Sequence, residues 1–271
     1  MGKFDKFLIC TDLDGTLLTK DKSISKENIE AIEYFKAEGG YFTFVTGRSA
    51  STVGEMYEKV RPNAPIGCFN GGGVYDKKNE KYLFKMPAER DILKLVECVD
   101  KNVDEAGILM HTFEKIYFSK ENVVTDWFMK ITGAEHIVKH YNNIEEDFSK
   151  VVFSFEKEES YVKIKEHLDK HPLKDKFDFV RSEQHLYEIL PKGSGKGLAL
   201  EKLAQILETE KTIAIGDFNN DISMFEKAKI GIAVSNACEE ALEKADYVTV
   251  SNEESAIAKV ISDIEQGILK I

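Results

Sequence analysis

The chain has 271 residues, room for about two domains at roughly 150 residues each. Its 37 Lys and Arg against 48 Asp and Glu leave a net charge of −11, which argues against a nucleic-acid partner, since phosphate backbones call for a basic surface. With 42% hydrophobic and 31% charged residues the composition excludes a disordered chain.

Charge or Gly interrupts every apolar stretch before the roughly 18 residues that a membrane span needs. Met1-Gly2-Lys3-Phe4-Asp5-Lys6 lacks the apolar stretch of an export signal, so a cytoplasmic protein without a membrane partner is expected. Cys10, Cys68, Cys98 and Cys238 form no CxxC pair and the histidines no ligand cluster, so neither zinc nor disulfides are expected.

Phe7 to Thr11 is an apolar run of strand length, broken at Asp12-Leu13-Asp14-Gly15-Thr16. Ser25 as N-cap, Ile29, Ile32 and Phe35 at helical spacing, and Gly39-Gly40 as a stop predict an amphipathic helix. Tyr41 to Val45 reads as a second buried strand, ending in Thr46-Gly47-Arg48. Ile66 to Phe69 reads as a third, followed by Asn70-Gly71-Gly72-Gly73. Past the middle of the chain the rhythm resumes. Residues 194–207 read as a helix, 212–215 as a strand entering Gly216-Asp217, 222–227 as a helix and 230–234 as a strand. A helix over 239–244, a strand over 247–250 and an amphipathic helix from Ile257 to Ile268 close the pattern.

The middle differs. Between Lys85 and about Tyr187, helical runs such as Ile92 to Val99 alternate with strands at 108–113, 115–118, 151–155 and 177–180. Residues 85–187 are therefore read as an inserted α+β domain. Residues 1–84 and 188–271 are read as an α/β core, a Rossmann-like parallel sheet wrapped by helices on both faces.

Open α/β sheets bind ligands at the carboxyl ends of their strands. Four strands here end in polar groups: Asp12-x-Asp14, Thr46-Gly47-Arg48, Asn70-Gly71 and Gly216-Asp217-Phe218-Asn219-Asn220-Asp221. Asp12 and Asp14 are two carboxylates that repel unless a cation joins them. With Asp217 and Asp221 they make an oxygen-only donor set, suited to Mg²⁺ and not to zinc. The plain alternative is a turn with a helix cap, where Asp, Gly and Thr are common.

Lys196 is either a phosphate clamp or a solvated loop cation. A Walker A loop fails twice, with Leu190 and Gly197 where Gly and Ser or Thr are needed, and Gly193-x-Gly195-x-Gly197 is no dinucleotide fingerprint. Asn70 to Gly73 also reads as a plain hairpin turn. Trp127 and Phe128 are read as core packing, His111 and His185 as structural histidines on strands, and Cys10 as a small core hydrophobe.

Asp12-Leu13-Asp14-Gly15-Thr16-Leu17-Leu18 resembles the first motif of the haloacid dehalogenase superfamily phosphatases. Thr46-Gly47-Arg48 resembles the second, Lys196 the third, and Gly216-Asp217-x-x-Asn220-Asp221 the fourth, in the same order. The insertion between the second and third motifs, Asn70-Gly71 before a hairpin, and the Lys192-Gly193-x-x-Lys196-Gly197 loop are similar to the Cof-type branch, with its large α+β cap.

The resemblance implies that Asp12 attacks phosphorus to form an aspartyl-phosphate, and that Asp14 protonates the leaving alcohol and then activates water. Mg²⁺ would be held by Asp12, Asp14 (also through its backbone carbonyl) and Asp217, with Asp221 bound through water or orienting the others. Thr46, the backbone amides of Leu13 and Gly47, Arg48, Lys196 and Asn220 would surround the phosphate, with Asn70 and Gly71 at the substrate rim. Phe218 departs from the polar residue of many relatives. The expected activity is Mg²⁺-dependent hydrolysis of small phosphorylated metabolites, sugar phosphates or similar monoesters. A hexose-phosphate mutase on the same fold and a non-enzymatic receiver-like phospho-acceptor are the competing functions. Receivers, however, need no inserted domain.

Overall fold

The computed structural model describes residues 2–271, which form two compact units. One comprises the chain up to Ala50, Gly54–Phe84 and Gly195–Ile271; the other comprises Ser51–Val53 and Lys85–Ser194.

In the first unit the chain runs β1 (Phe7–Thr11), α1 (Lys26–Ala37), β2 (Tyr41–Phe44), α2 (Gly54–Val60), β3 (Ile66–Cys68), β4 (Gly73–Asp76) and β5 (Lys81–Lys85). Ser25 caps α1 as expected, its side chain accepting from the Asn28 amide. The second unit adds α3 (Ile92–Asn102), β6 (Gly107–Thr112), β7 (Ile116–Lys120), α4 (Val123–Thr132), β8 (Ile137–Val138), β9 (Phe148–Ser154), α5 (Glu158–Asp169), β10 (Phe177–Glu183) and β11 (Leu186–Pro191). The chain then completes the first unit with α6 (Lys196–Leu207), β12 (Lys211–Gly216), α7 (Ile222–Lys227), β13 (Ile230–Val234), α8 (Glu239–Lys244), β14 (Tyr247–Thr249) and α9 (Ala256–Glu265).

The first unit is built on a five-stranded sheet in the order β14-β13-β12-β1-β2, parallel throughout. Such strands are buried on both faces, which is why each reads as an unbroken apolar run. Leu8 and Cys10 of β1 pack with Ala199, Leu203, Met224 and Phe225 of α6 and α7, while α1 and α9 pack together. Cys10 is indeed a core hydrophobe, and burial pushes its thiol up. Parallel strands put their carboxyl ends on one edge, so Asp12, Thr46 and Asp217 emerge side by side after β1, β2 and β12.

Ile66–Cys68 departs from expectation. It touches the parallel sheet only through a bridge from Gly67 to Val45, and pairs antiparallel with β4 in a small β3-β4-β5 sheet. The closing helix stops at Glu265 and leaves Ile268 exposed, because Gly267 takes a left-handed conformation.

The second unit is a six-stranded sheet, β10-β11-β9-β6-β7-β8, antiparallel except at β7–β8. Ile108, Met110, Val151, Phe153 and Ile189 share a core with Leu95, Val99 and Ile164 of α3 and α5. Leu109, Phe118, Val152 and Leu186 point the other way and meet Val124 and Phe128 of α4. Glu188 to Pro191, expected with the parallel-sheet core, pair instead with β9 and β10. Trp127 is 37% exposed although Phe128 beside it is buried: neighbouring helical positions cannot both face one core. His185 sits in the turn between β10 and β11, whereas His111 is on β6 as expected.

Candidate active site

The site begins where β1 stops. The Asp12 amide still donates to the Ile215 carbonyl at 2.9 Å, and the chain then folds into a turn closed by the Leu18 amide on the Leu13 carbonyl at 2.8 Å. Gly15 makes that turn possible: its φ is +81°, and a Cβ there would lie 2.3 Å from an Asp217 carboxylate oxygen. Thr16 donates its hydroxyl to Asp217 Oδ1 at 2.8 Å, and Asn236 donates to the Gly15 carbonyl at 2.9 Å. The Asn252 amide donates to Asn236 Oδ1 at 2.9 Å, and the Asn252 side chain donates to the Leu18 carbonyl at 2.8 Å. The turn that carries Asp12 and Asp14 is thus tied down from both of the loops that follow β13 and β14.

Lys196, the first residue of α6, is fully buried, with Nζ 2.7 Å from Asp12 Oδ1 and 2.6 Å from Asp221 Oδ1. Asp221 turns its other oxygen to the amides of Asp217 and Phe218, at 2.9 and 3.0 Å. Both of its oxygens are engaged, so it orients its neighbours. Asp12, Asp217 and Asp221 each offer an oxygen within 4.8 Å of the other two. Burial, and then the neighbouring carboxylates, push Asp217 well up. Burial, opposed by Lys196, lifts Asp12 to about 7. Burial disfavours the charge on Lys196, but Asp12 and Asp221 outweigh it and hold the ammonium protonated.

Asp14 lies apart from that cluster. Arg48 Nε and an Arg48 terminal nitrogen grip its two oxygens at 2.8 Å each, and Lys22 adds a third contact at 2.8 Å. Burial works against the Asp14 charge, but Arg48 and Lys22 outweigh it and bring its carboxyl down to about 2. The expected four-carboxylate set is therefore three carboxylates plus a fourth held by two cations.

Thr46 accepts the Arg48 amide on its hydroxyl at 3.2 Å, and its carbonyl accepts the Asn70 amide at 3.1 Å. Asn220 donates to Asn70 Oδ1 at 3.1 Å, and its own buried Oδ1 has no partner. Gly47 packs so closely that a Cβ would come 3.1 Å from Asn70 Oδ1. Phe69, Asn70 and Gly71 are all left-handed, with φ of 55°, 51° and 93°. A Cβ on Gly71 would lie 1.8 Å from the Gly195 carbonyl oxygen, so this strained turn abuts the loop before Lys196. Lys22, Thr16, Asn236 and Asn252 escaped the sequence reading. Nothing in the spacing separates Lys22 from Lys20 or Lys26.

A parallel α/β sheet whose strand ends gather a buried lysine with three carboxylates, and a second carboxylate site beside an arginine, defines a class of phosphoryl-handling hydrolases. Residues 9–261 match the family described as haloacid dehalogenase-like hydrolase, and the chain belongs to that family, in its Cof-type branch. It is a phosphatase by that membership and by its relatives. It is 33% identical to the Bacillus subtilis 5-amino-6-(5-phospho-D-ribitylamino)uracil phosphatase YwtE, over 96% of this chain and 98% of that one. It is 28% identical to the Bacillus subtilis phosphatase YitU, of the same description, over 95% and 97%. Among solved structures, a haloacid dehalogenase-like hydrolase from Bacteroides thetaiotaomicron superimposes with a TM-score of 0.82 at 25% identity, over 97% of this chain and all of that one. The subclass IIB sugar phosphatase BT4131 shares the fold, with a TM-score of 0.84 at 23% identity, over 97% and 100%.

Proposed function

We propose that the protein is a Mg²⁺-dependent phosphatase of small phosphorylated metabolites that works through an aspartyl-phosphate on Asp12. The observation that carries this reading is the placement of Asp12: it directly follows β1, its carboxylate touches Lys196, and it shares a cluster with Asp217 and Asp221.

The donor set fits a divalent cation. Three carboxylates, two buried and one partly buried, face one lysine, a charge shortfall that adds to burial in raising Asp12 and Asp217. Asp12 and Asp217 would hold the ion, with the Asp14 backbone carbonyl as the family resemblance implies and Asp221 behind them. Bound Mg²⁺ screens the negative charge that otherwise keeps a carboxylate and a phosphate apart.

Asp12 Oδ forms the new bond to phosphorus as the ester P–O bond breaks, and the departing oxygen takes a proton from Asp14. Asp14 then takes a proton from water as that water attacks phosphorus and frees Asp12. For this, Asp14 must leave its grip on Arg48 and Lys22. Incoming phosphate oxygens offer both cations an alternative anion, so substrate arrival releases the Asp14 carboxylate, which takes up a proton from solvent before it serves as the acid. Thr46, Lys196, Asn220 and the Leu13 and Gly47 amides stabilise the phosphoryl oxygens, while Asn70 and Gly71 border them. The unit containing residues 85–187 is the cap that selects the alcohol. The likeness to phosphatases of a ribityl phosphate supports a sugar or polyol monoester as the substrate.

Asp12→Asn tests the nucleophile. Turnover of p-nitrophenyl phosphate should fall by several powers of ten with the fold intact by circular dichroism. Retention of more than about a tenth of the wild-type rate would sink the covalent route.

A further inference from the structure

Three loops of the first unit close a hydrogen-bonded ring around Asp217. Thr16 donates its hydroxyl to Asp217 Oδ1 at 2.8 Å. The Asp217 carbonyl accepts the Cys238 amide at 2.9 Å, which anchors the loop between β13 and α8. From that loop Asn236 reaches back and donates Nδ2 to the Gly15 carbonyl at 2.9 Å, one residue before Thr16. The Asn236 oxygen is engaged as well, accepting the Asn252 amide at 2.9 Å. Both functions of the side-chain amide are used: a carboxylate has no proton for the carbonyl, and alanine has neither function.

Asp217 is held differently from its neighbours. Lys196 grips Asp12 and Asp221 at 2.7 and 2.6 Å, and Asp221 also takes the amides of Asp217 and Phe218. The Asp217 carboxylate takes a hydrogen bond from Thr16, whose own position depends on the turn at Gly15. That turn is tight: Gly15 has a φ of +81°, and a Cβ there would meet Asp217 Oδ2 at 2.3 Å. A rotation of the Gly15–Thr16 peptide therefore carries the Thr16 hydroxyl and the Asp217 side chain with it. Asn236 holds the carbonyl of that same peptide and so fixes the rotation. Thr16 is fully buried, whereas Asn236 is exposed. A hydrogen bond at the surface adds little stability, because water competes for both partners. The effect of Asn236 falls instead on the direction in which Asp217 points.

We propose that Asn236 is a positioning residue that acts through Thr16, setting the orientation of the Asp217 carboxylate and with it the affinity of the Asp12 and Asp217 pair for Mg²⁺. The inference rests on the phosphatase reading and deepens it. Partners that orient a metal ligand are typically worth about 10–100-fold in metal affinity.

Thermal unfolding of the full-length protein over a Mg²⁺ series reads the affinity of the folded state for the ion, and unfolding in EDTA reads stability without it. Asn236→Ala should lower the Mg²⁺ affinity by about tenfold or more, while its midpoint in EDTA falls by only a few degrees. Thr16→Val, which keeps the shape and loses the hydroxyl, should lower the affinity to a similar extent. Thr16→Ser, which keeps the hydroxyl, should recover most of it. Because both residues act on one carboxylate, the double variant of Asn236→Ala and Thr16→Val should bind no more than about threefold more weakly than the weaker single variant. Thr16→Ala replaces Thr16→Val in this comparison if the latter does not fold. An Asn236→Ala affinity equal to that of wild type, whatever happens to stability, overturns the proposal, and so does a double variant that shows the full product of the two losses. If wild type gains stability from Mg²⁺ and cleaves p-nitrophenyl phosphate but Asn236→Ala matches it in both, the inference fails and the phosphatase reading stands. If wild type does neither, both fail.

Discussion

Lys196→Met removes the one cation that the structure places between Asp12 and Asp221 while keeping the length of the side chain. Each contact, at 2.6–2.7 Å, is a direct attraction of about 6 kcal/mol at an effective dielectric near 20. Desolvation offsets much of it, and breaking such a buried set typically costs about 3–5 kcal/mol because the partners stay buried and uncompensated. For a chain of this size that corresponds to a fall of roughly 10 °C in the unfolding midpoint of the first unit. The assay is thermal unfolding in EDTA and again in excess Mg²⁺, with p-nitrophenyl phosphate turnover alongside. Removing the lysine deepens the charge shortfall at the carboxylates, so Mg²⁺ should stabilise the variant more than the wild type. A variant as stable as wild type in EDTA, or equal stabilisation of both by Mg²⁺, would refute this account of the cluster.

The raised Asp12 sets a pH trend in the metal-free protein. Its folded pKa near 7 exceeds the ordinary carboxylate value, so the folded state holds the proton more tightly, and stability should fall as pH rises from about 4 to 7. Asp217 adds to that slope, whereas Asp14, held down near 2, contributes the opposite slope only below about pH 4. Urea unfolding in EDTA across this range reads the sign, and a rising or flat profile would contradict it. Asp14→Asn should slow turnover of an alkyl phosphate far more than that of p-nitrophenyl phosphate, whose phenolate leaves without a proton. Equal losses would count against Asp14 as the acid. Gly71→Ala should destabilise the first unit by about 3 kcal/mol or more, since its Cβ would overlap the Gly195 carbonyl and its φ is +93°; chemical denaturation measures it.

Much of the core was legible because parallel strands are apolar throughout and break off at their chemistry. Phe7 to Thr11 before Asp12, and Thr212 to Ile215 before Asp217, show this. Ile66–Cys68 was harder: three residues carry no period that distinguishes a parallel partner from a hairpin arm. Asp12 and Asp14 look equivalent in the sequence. The turn at Gly15 separates them, sending Asp14 toward Arg48 from the loop after β2, and no local pattern encodes that divergence. Trp127 faces outward because Phe128 already claims the core-facing side of α4, a choice that residue type alone does not reveal. Asn236 and Asn252 lie more than 200 residues from the loop they hold, a distance over which residue spacing says nothing.

The pairing of β1 with β12 joins Phe7 to Lys211. During synthesis at about 5–20 residues per second, β1 waits on the order of tens of seconds for that neighbour. The strands of residues 107–191 emerge earlier and pair only among themselves, so the second unit can fold while the first is still half made. Contacts this distant in sequence slow folding and leave a strand edge open to foreign partners in the meantime. Chemistry also arrives late. Asp12 meets Lys196 and Asp217 only after the later segments have been made, so the cluster of charges around Asp12 stays incomplete for most of the chain's synthesis.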